Sequence, residues 1–463
     1  MENSFSKLKV LENLASDRLE DNFVKCFWPM HVIQMSLGSS RVDLINKYAT
    51  QPTACQKIYT ILWIFATVGS TLYLTNHFYI TYHDDNISLY YILSTAGYMQ
   101  SIPSILNLIH VRFFNGSENV ELYVTMQKID RAIGLDYIKT LNWRLFKFNL
   151  SYAFLITFVY LTIIMTVIYI KMKNPMFTIF LGFSIVSNYM ETALQEYLMY
   201  FLATRLRCVN ETLKAHLVRN RRCQCSEDAT DKDLHAILCD GDDYLIAPEI
   251  NECFDCSMPS ESAVKPFKLA LKSFKIINKT FNFQVLLMIV NICVWVLLII
   301  DALVVGERTK RAPPTEPKRM AQDPYPSVIL KEKNMGCRTS AVRWHITDNA
   351  LIRGFTFQFV PLKGTASLSV WMLLNLIHVT AQSVAVELFL SQLKTTKRLC
   401  IRILSLYYEG PLHVTAKRLL TVLEAAASRF SVYDMFALDK RLPLKIVGLI
   451  TTYVLLLMQF TLL

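Results

Sequence analysis

The chain has 463 residues, is 53% hydrophobic and 18% charged, and carries a formal charge of +11 with a mean hydropathy of +0.30. A soluble chain of this length would divide into domains of mixed composition, but here the apolar residues gather into blocks of about 20, the length a helix needs to cross a bilayer. No glycine-rich phosphate loop or zinc-finger spacing accompanies the positive charge, which excludes nucleic acid as the expected partner and assigns the Lys and Arg excess to loops beside a lipid bilayer.

The first 57 residues are mixed polar, with charges interrupting every apolar stretch and no cleavable signal peptide, and they read as a cytoplasmic N-terminal segment. Seven apolar blocks then follow at residues 58–76, 88–109, 148–170, 176–202, 283–305, 366–388 and 443–463. The fold class expected is therefore an all-α membrane protein of seven transmembrane helices with cytoplasmic helical extensions. Residues 58–202 hold the first four helices and 203–282 a cytoplasmic loop. The fifth helix is 283–305, and an extracellular loop occupies 306–365. Residues 366–442 hold the sixth helix and its cytoplasmic extension, and 443–463 the seventh helix.

Basic residues set the orientation. The first interhelical link, 77–87, has no Lys or Arg, the second has six, that from 205 to 282 has twelve, and that from 391 to 442 has nine. This places the N-terminus in the cytoplasm and the C-terminus outside. The 306–363 link carries eleven basic residues although it is expected outside, which is tolerated because long loops translocate largely regardless of charge. Its start, with Pro313, Pro314, Pro317, Pro324 and Pro326, reads as irregular chain, part of a poorly ordered insertion.

In the 203–282 loop, residues 223–262 are acidic and Cys-rich, with little apolar periodicity, and read as flexible. Cys223, Cys225, Cys239, Cys253 and Cys256, with His235, have the wrong spacing for common zinc modules, so neither metal nor cofactor is expected. Asp130-Arg131 reads as a surface charge pair, whereas Glu191, Glu196 and Glu387, acids near membrane depth, are expected to pair with Arg205, Arg207 or Lys394. His110, His378 and His413 are scattered over different elements with no nucleophile at suggestive spacing, and no enzyme is expected.

The last block decides the functional reading. Thr452 and Gln459 are seven residues apart and share a helical face, with Tyr453 and Phe460 on the neighbouring stripe. A pore-lining helix needs polar groups for an ion and an apolar ring that excludes water when closed. Pro443-Leu444, Thr452-Tyr453 and Gln459-Phe460, at the end of a seven-helix chain, resemble the C-terminal signature of the insect gustatory receptors. The resemblance implies a tastant-gated, non-selective cation channel in the dendritic membrane of gustatory neurons. It implies a homo- or hetero-tetramer with other gustatory receptor subunits, with four copies of the last helix around the pore and residues 392–437 as the helical extension that joins subunits. Gln459 and Phe460 would form the outer constriction, while Thr452 and Tyr453 would fix the helix or line the wider pore. Val454 stands where sugar-clade members carry an acidic residue, which points away from that clade and leaves bitter-type, fructose-type and other receptors open.

The resemblance also implies that a small-molecule tastant binds within each subunit, in the outer half of the bundle. Tyr91, Ser94, Thr95 and Tyr98 form one helical stripe there and Trp371, Asn375 and His378 another. Both combine aromatic faces with a few polar groups, as a small amphipathic ligand needs, and helix–helix packing would use the same residues. A G-protein-coupled receptor and a transporter are the alternatives. The inferred orientation is opposite to that of the former, and no inverted repeat of broken helices marks the latter.

Overall fold

The computed structural model describes residues 18–45, 47–82, 87–171, 175–224, 263–311, 341–425 and 429–462, which are mostly helical. The described elements are α1 (Asp21–Ser36), β1 (Asp43–Ile45), β2 (Tyr48–Thr50), α2 (Ala54–Tyr82), α3 (Ile87–Phe113), α4 (Gly116–Ile133), α5 (Leu135–Lys171) and α6 (Pro175–Gln224). After them come α7 (Val264–Arg311), α8 (Ala341–Leu406), α9 (Pro411–Ala425), β3 (Ser431–Val432), β4 (Phe436–Ala437) and α10 (Leu442–Leu462). The described residues of each expected span fall inside one helix: α2, α3, α5, α6, α7, α8 and α10, the last of these ending at Leu462.

Among the described residues, four helices contain a span long and apolar enough to cross a membrane, namely Ala54–Ile80, Ile138–Thr162, Val264–Ile300 and Met372–Leu406. The described apolar part of α10, Leu442–Leu456, is shorter. Midway along α6 stand Glu191, Gln195 and Glu196, and these are buried together with their neighbours on every side of the helix. A helix enclosed by protein tolerates such residues because their partners are side chains rather than lipid.

Several helices run past the expected boundaries. Residues 306–311 continue α7 and residues 341–365 belong to α8, so these parts of the expected extracellular loop are helical. The Pro-rich stretch between them lies outside the described residues, as does the acidic segment 225–262. The extension expected over 392–437 comprises the end of α8, then α9 and a small hairpin. Gly410, at φ +107, turns the chain after α8, and glycine takes that backbone conformation at least cost. Pro411 then opens α9, where its missing N–H costs nothing. A small antiparallel hairpin follows, pairing Val432 with Phe436, with Tyr433 and Asp434 left-handed at its tip.

The fold divides into two compact units. The first comprises residues up to 73, 100–289 and 378–444. Its core begins in the mixed polar N-terminal segment. Phe23, Cys26, Phe27 and Met30 recur at helical spacing in α1 and are all buried. The Phe27 ring centroid lies 5.1 Å from that of Tyr123, 5.4 Å from Tyr197 and 5.5 Å from Phe201, which seats α1 against α4 and α6. Tyr197 Oη and Asn149 Nδ2 both donate to the Cys26 carbonyl, at 3.0 and 2.6 Å. Gly38 (φ +71) ends this helix so close to α2 that a Cβ there would meet Trp63 Cδ1 at 2.9 Å. The β1–β2 hairpin pairs Asp43 with Thr50, and Asp43 accepts from Gln56 Nε2 at 2.8 Å. Thr53 and Gln56 form reciprocal backbone–side-chain bonds at the start of α2, a capping box that satisfies two otherwise orphaned N–H groups.

His31 on α1 is buried beside Ser40, with Nδ1 3.3 Å from the hydroxyl. Burial pushes its pKa down to about 4, Arg112 adds to the effect and Asp43 opposes it. The folded state therefore keeps the ring neutral, while the unfolded chain binds a proton near the ordinary value of about 6.5. Stability should be full above about pH 6.5 and fall as pH drops toward 4. Melting of the detergent-solubilised protein between pH 8 and 5 should show this slope, and His31→Gln should flatten it.

The second unit comprises residues 74–99, 290–377 and 445–463. Its described core joins Ile92 of α3 to Trp295 and Leu298 of α7, with Met372 of α8 packed against them. Tyr79 and Tyr90 meet edge to face at 5.5 Å.

Candidate functional site

The C-terminal helix α10 buries one narrow stripe. Leu442 and Ile446 are buried and Ile450 and Val454 half-buried, at four-residue spacing along a single side. Thr452 and Gln459 are exposed and fall on the opposite face, together with Lys445 and Gly448. Thr452 Oγ1 donates back to the Gly448 carbonyl at 2.9 Å, and a Cβ built at Gly448 would meet nothing within 4 Å. Tyr453 is 51% exposed, and Leu444, Leu449, Leu455 and Leu456 are also exposed, so much of the described surface of this helix has no cover among the described residues. The Phe460 side chain lies outside the described residues. Val454 sits on the inward stripe, where an acidic residue would be taken out of solvent.

The expected ligand residues separate into different environments. On α3, Tyr91 is 60% exposed, Ser94 is buried with no hydrogen-bond partner for Oγ among the described residues, and Thr95 and Tyr98 are half-buried. Asn375 is buried in the second unit and accepts from Asn291 Nδ2 at 3.4 Å. In the same unit the buried Asn291 Oδ1 and Trp295 Nε1 have no partner among the described residues. Asn291 and Trp295 are the polar-centre residues that the sequence reading missed. An Asn and a Trp inside an apolar block were the available signal, because burying either polar group costs free energy unless it finds a partner. The Trp371 side chain lies outside the described residues.

His378 belongs to the first unit and faces a different set of groups. Its Nε2 is 3.2 Å from Tyr160 Oη, its ring stacks on Tyr189 at 4.8 Å, and Tyr189 stacks on Tyr160 at 4.3 Å. Glu196 Oε1 is 3.6 Å from His378 Nδ1, and Tyr152 Oη donates to the other Glu196 oxygen. Below it, Gln382 Nε2 donates to Gln195 Oε1 at 3.0 Å. This buried chain of aromatic, imidazole and carboxyl groups ties α5, α6 and α8 together.

The charged residues are paired differently from the sequence expectation. Asp130 is not part of a surface pair. It is buried and accepts from Arg205 Nε at 2.8 Å and Nη2 at 3.1 Å, while its neighbour Arg131 pairs with Glu20 at 3.1 Å. Glu191 pairs with Arg41, at 2.7 Å, rather than with a basic residue on its own helix. Glu387 does pair with Lys394, at 3.0 Å. Among the described residues no three His, Cys, Asp or Glu side chains gather as a metal site.

No protein-family model matches the chain, and no curated protein matches it. The functional reading therefore rests on the chain's own residues.

Proposed function

We propose that this chain is a tastant-gated, non-selective cation channel of the gustatory receptor type. In this reading seven helices cross the plasma membrane of a sensory neuron, with the N-terminus in the cytoplasm and the C-terminus outside. The observation that carries it is the design of α10: one side is packed, and the opposite face presents Thr452 and Gln459 to the outside of the subunit. A lone membrane helix with Gln459 directed at lipid would be unfavourable. Placing four copies around an axis gives that face water and permeating cations, and gives the exposed leucines neighbouring subunits. A tastant held in the second unit by residues such as Ser94 and Asn375, with Tyr91, Thr95 and Tyr98 beside Ser94 on α3, opens the pore by binding the open state more tightly than the closed one.

The test is expression of the chain alone in a heterologous cell, with current and calcium entry read against a tastant panel. Ligand-evoked cation current is expected. Gln459→Ala should change ionic selectivity, and Phe460→Ala should raise resting leak. Unchanged conduction in both variants would overturn the gate assignment. A C-terminal tag should be reached by antibody on unpermeabilised cells, which a G-protein-coupled receptor with a cytoplasmic C-terminus would not allow.

A further inference from the structure

Along α7, Lys265, Lys268, Lys272, Lys275 and Lys279 recur at intervals of three and four residues, which puts them on one face. All five are exposed, while Phe267, Phe274, Ile277 and Phe281 bury the opposite side. Two of the five are neutralised by α4: Lys272 meets Glu121 at 2.6 Å and Lys279 meets Glu118 at 2.8 Å. Lys265, Lys268 and Lys275 have no ion-pair partner among the described residues. Like charges spaced this closely on a helix repel one another, so a counter-charge along this face is stabilising.

The chain supplies one directly upstream. Residues 225–262 hold eleven Asp and Glu, from Glu227 to Glu261, against a single Lys, Lys232. We propose that this acidic segment is the occupant of the α7 lysine face, with carboxylates in the Glu227–Asp255 stretch contacting Lys265, Lys268 and Lys275. Two features favour it over a separate partner. The charges are complementary, and the segment is joined covalently to the first turn of α7, which gives an effective concentration on the order of millimolar without any second molecule. Reach is not limiting. The stripe from Lys265 to Lys279 is about 21 Å long at the helical rise, and the chain from Asp255 to Ser262 alone extends to about 25 Å. The contact is independent of the channel reading, since it needs neither a pore nor a tastant.

The test is zero-length carbodiimide coupling on the full-length protein in detergent, which joins a carboxylate to a lysine amine only where the two touch. Expected are intrachain cross-links from Lys265, Lys268 or Lys275 to acids between Glu227 and Asp255. They should fall several-fold when salt is raised to about 1 M, where screening acts within about 3 Å. The variant D240N/D242N/D243N, which leaves α7 untouched, should raise acetylation of the same lysines and lower the melting temperature only slightly, because exposed ion pairs contribute little to stability. Cross-links confined to Glu118 and Glu121 would overturn the proposal, as would none at all. Links only between isotopically light and heavy copies would make a second copy the occupant. Protection of the lysines from acetylation by anionic but not neutral nanodiscs, with the intrachain links lost, would make it lipid headgroups.

Discussion

Asp130→Ala should destabilise the protein by about 3–5 kcal/mol, the range for removing one partner of a buried ion pair. The substituted side chain leaves Arg205 fully buried, with 0% of its side chain exposed, and strips it of both hydrogen bonds to the Asp130 carboxylate. What remains is Asn142 Oδ1 and the Phe201 ring, whose centroid lies 3.8 Å from the guanidinium carbon. An amide oxygen and a ring face do not replace a carboxylate as counter-charge. The measurement is thermal melting of the detergent-solubilised protein, read beside folded yield. The double variant Asp130→Leu with Arg205→Met should recover most of the loss, because apolar residues of similar size remove the charge and its desolvation cost together. A single variant that melts like the wild type would show that the pair does not close in the folded protein.

Glu191→Leu should have a comparable cost, again about 3–5 kcal/mol, but a different local signature. Both carboxylate oxygens of Glu191 are engaged, one by Arg41 at 2.7 Å and the other by Gln34 at 2.8 Å. Both partners come from the N-terminal segment, which this acid holds against the buried α6. Arg41 is further placed over the Phe281 ring, 3.9 Å from its centroid, and reaches Gln284 Oε1 at 3.3 Å. Loss of the carboxylate strands a buried cation at the end of that segment. Limited proteolysis should then cut within residues 18–50 earlier than anywhere else in the described chain, whereas Asp130→Ala should expose the first unit as a whole. Arg41→Met added to Glu191→Leu should restore protection. Equal protease resistance in wild type and Glu191→Leu would remove the clamp.

The membrane-length helices were legible because an uninterrupted apolar run reports itself. The described residues of all seven expected spans lie inside helices, and among the described residues four of those helices are long and apolar enough to cross a membrane. The α1 helix was legible in principle, since Phe23, Cys26, Phe27 and Met30 keep helical spacing, but Lys25 among them and Asp21-Asn22 just before them keep the segment from forming an uninterrupted apolar block. The break between α8 and α9 was also written locally, in Gly410-Pro411. The candidate site divides the same way. Thr452 and Gln459 share a face by spacing alone, whereas the polar centre at Asn291 and Trp295 carried no repeat that could announce it.

By itself the sequence determined where apolar helices form, which residues on each helix share a side, and that acidic and basic stretches adjoin in the 203–282 loop. Only the tertiary structure decided the partners. Asp130 read as a surface residue until α6 brought Arg205 to it, and Glu191 found Arg41 from a segment 150 positions away. Helical periodicity is a property of neighbouring residues and survives in the linear chain. The choice between a solvated charge and a buried pair depends on which distant helix closes over it, since desolvation and Coulomb attraction are both set by the surroundings rather than by the residue type.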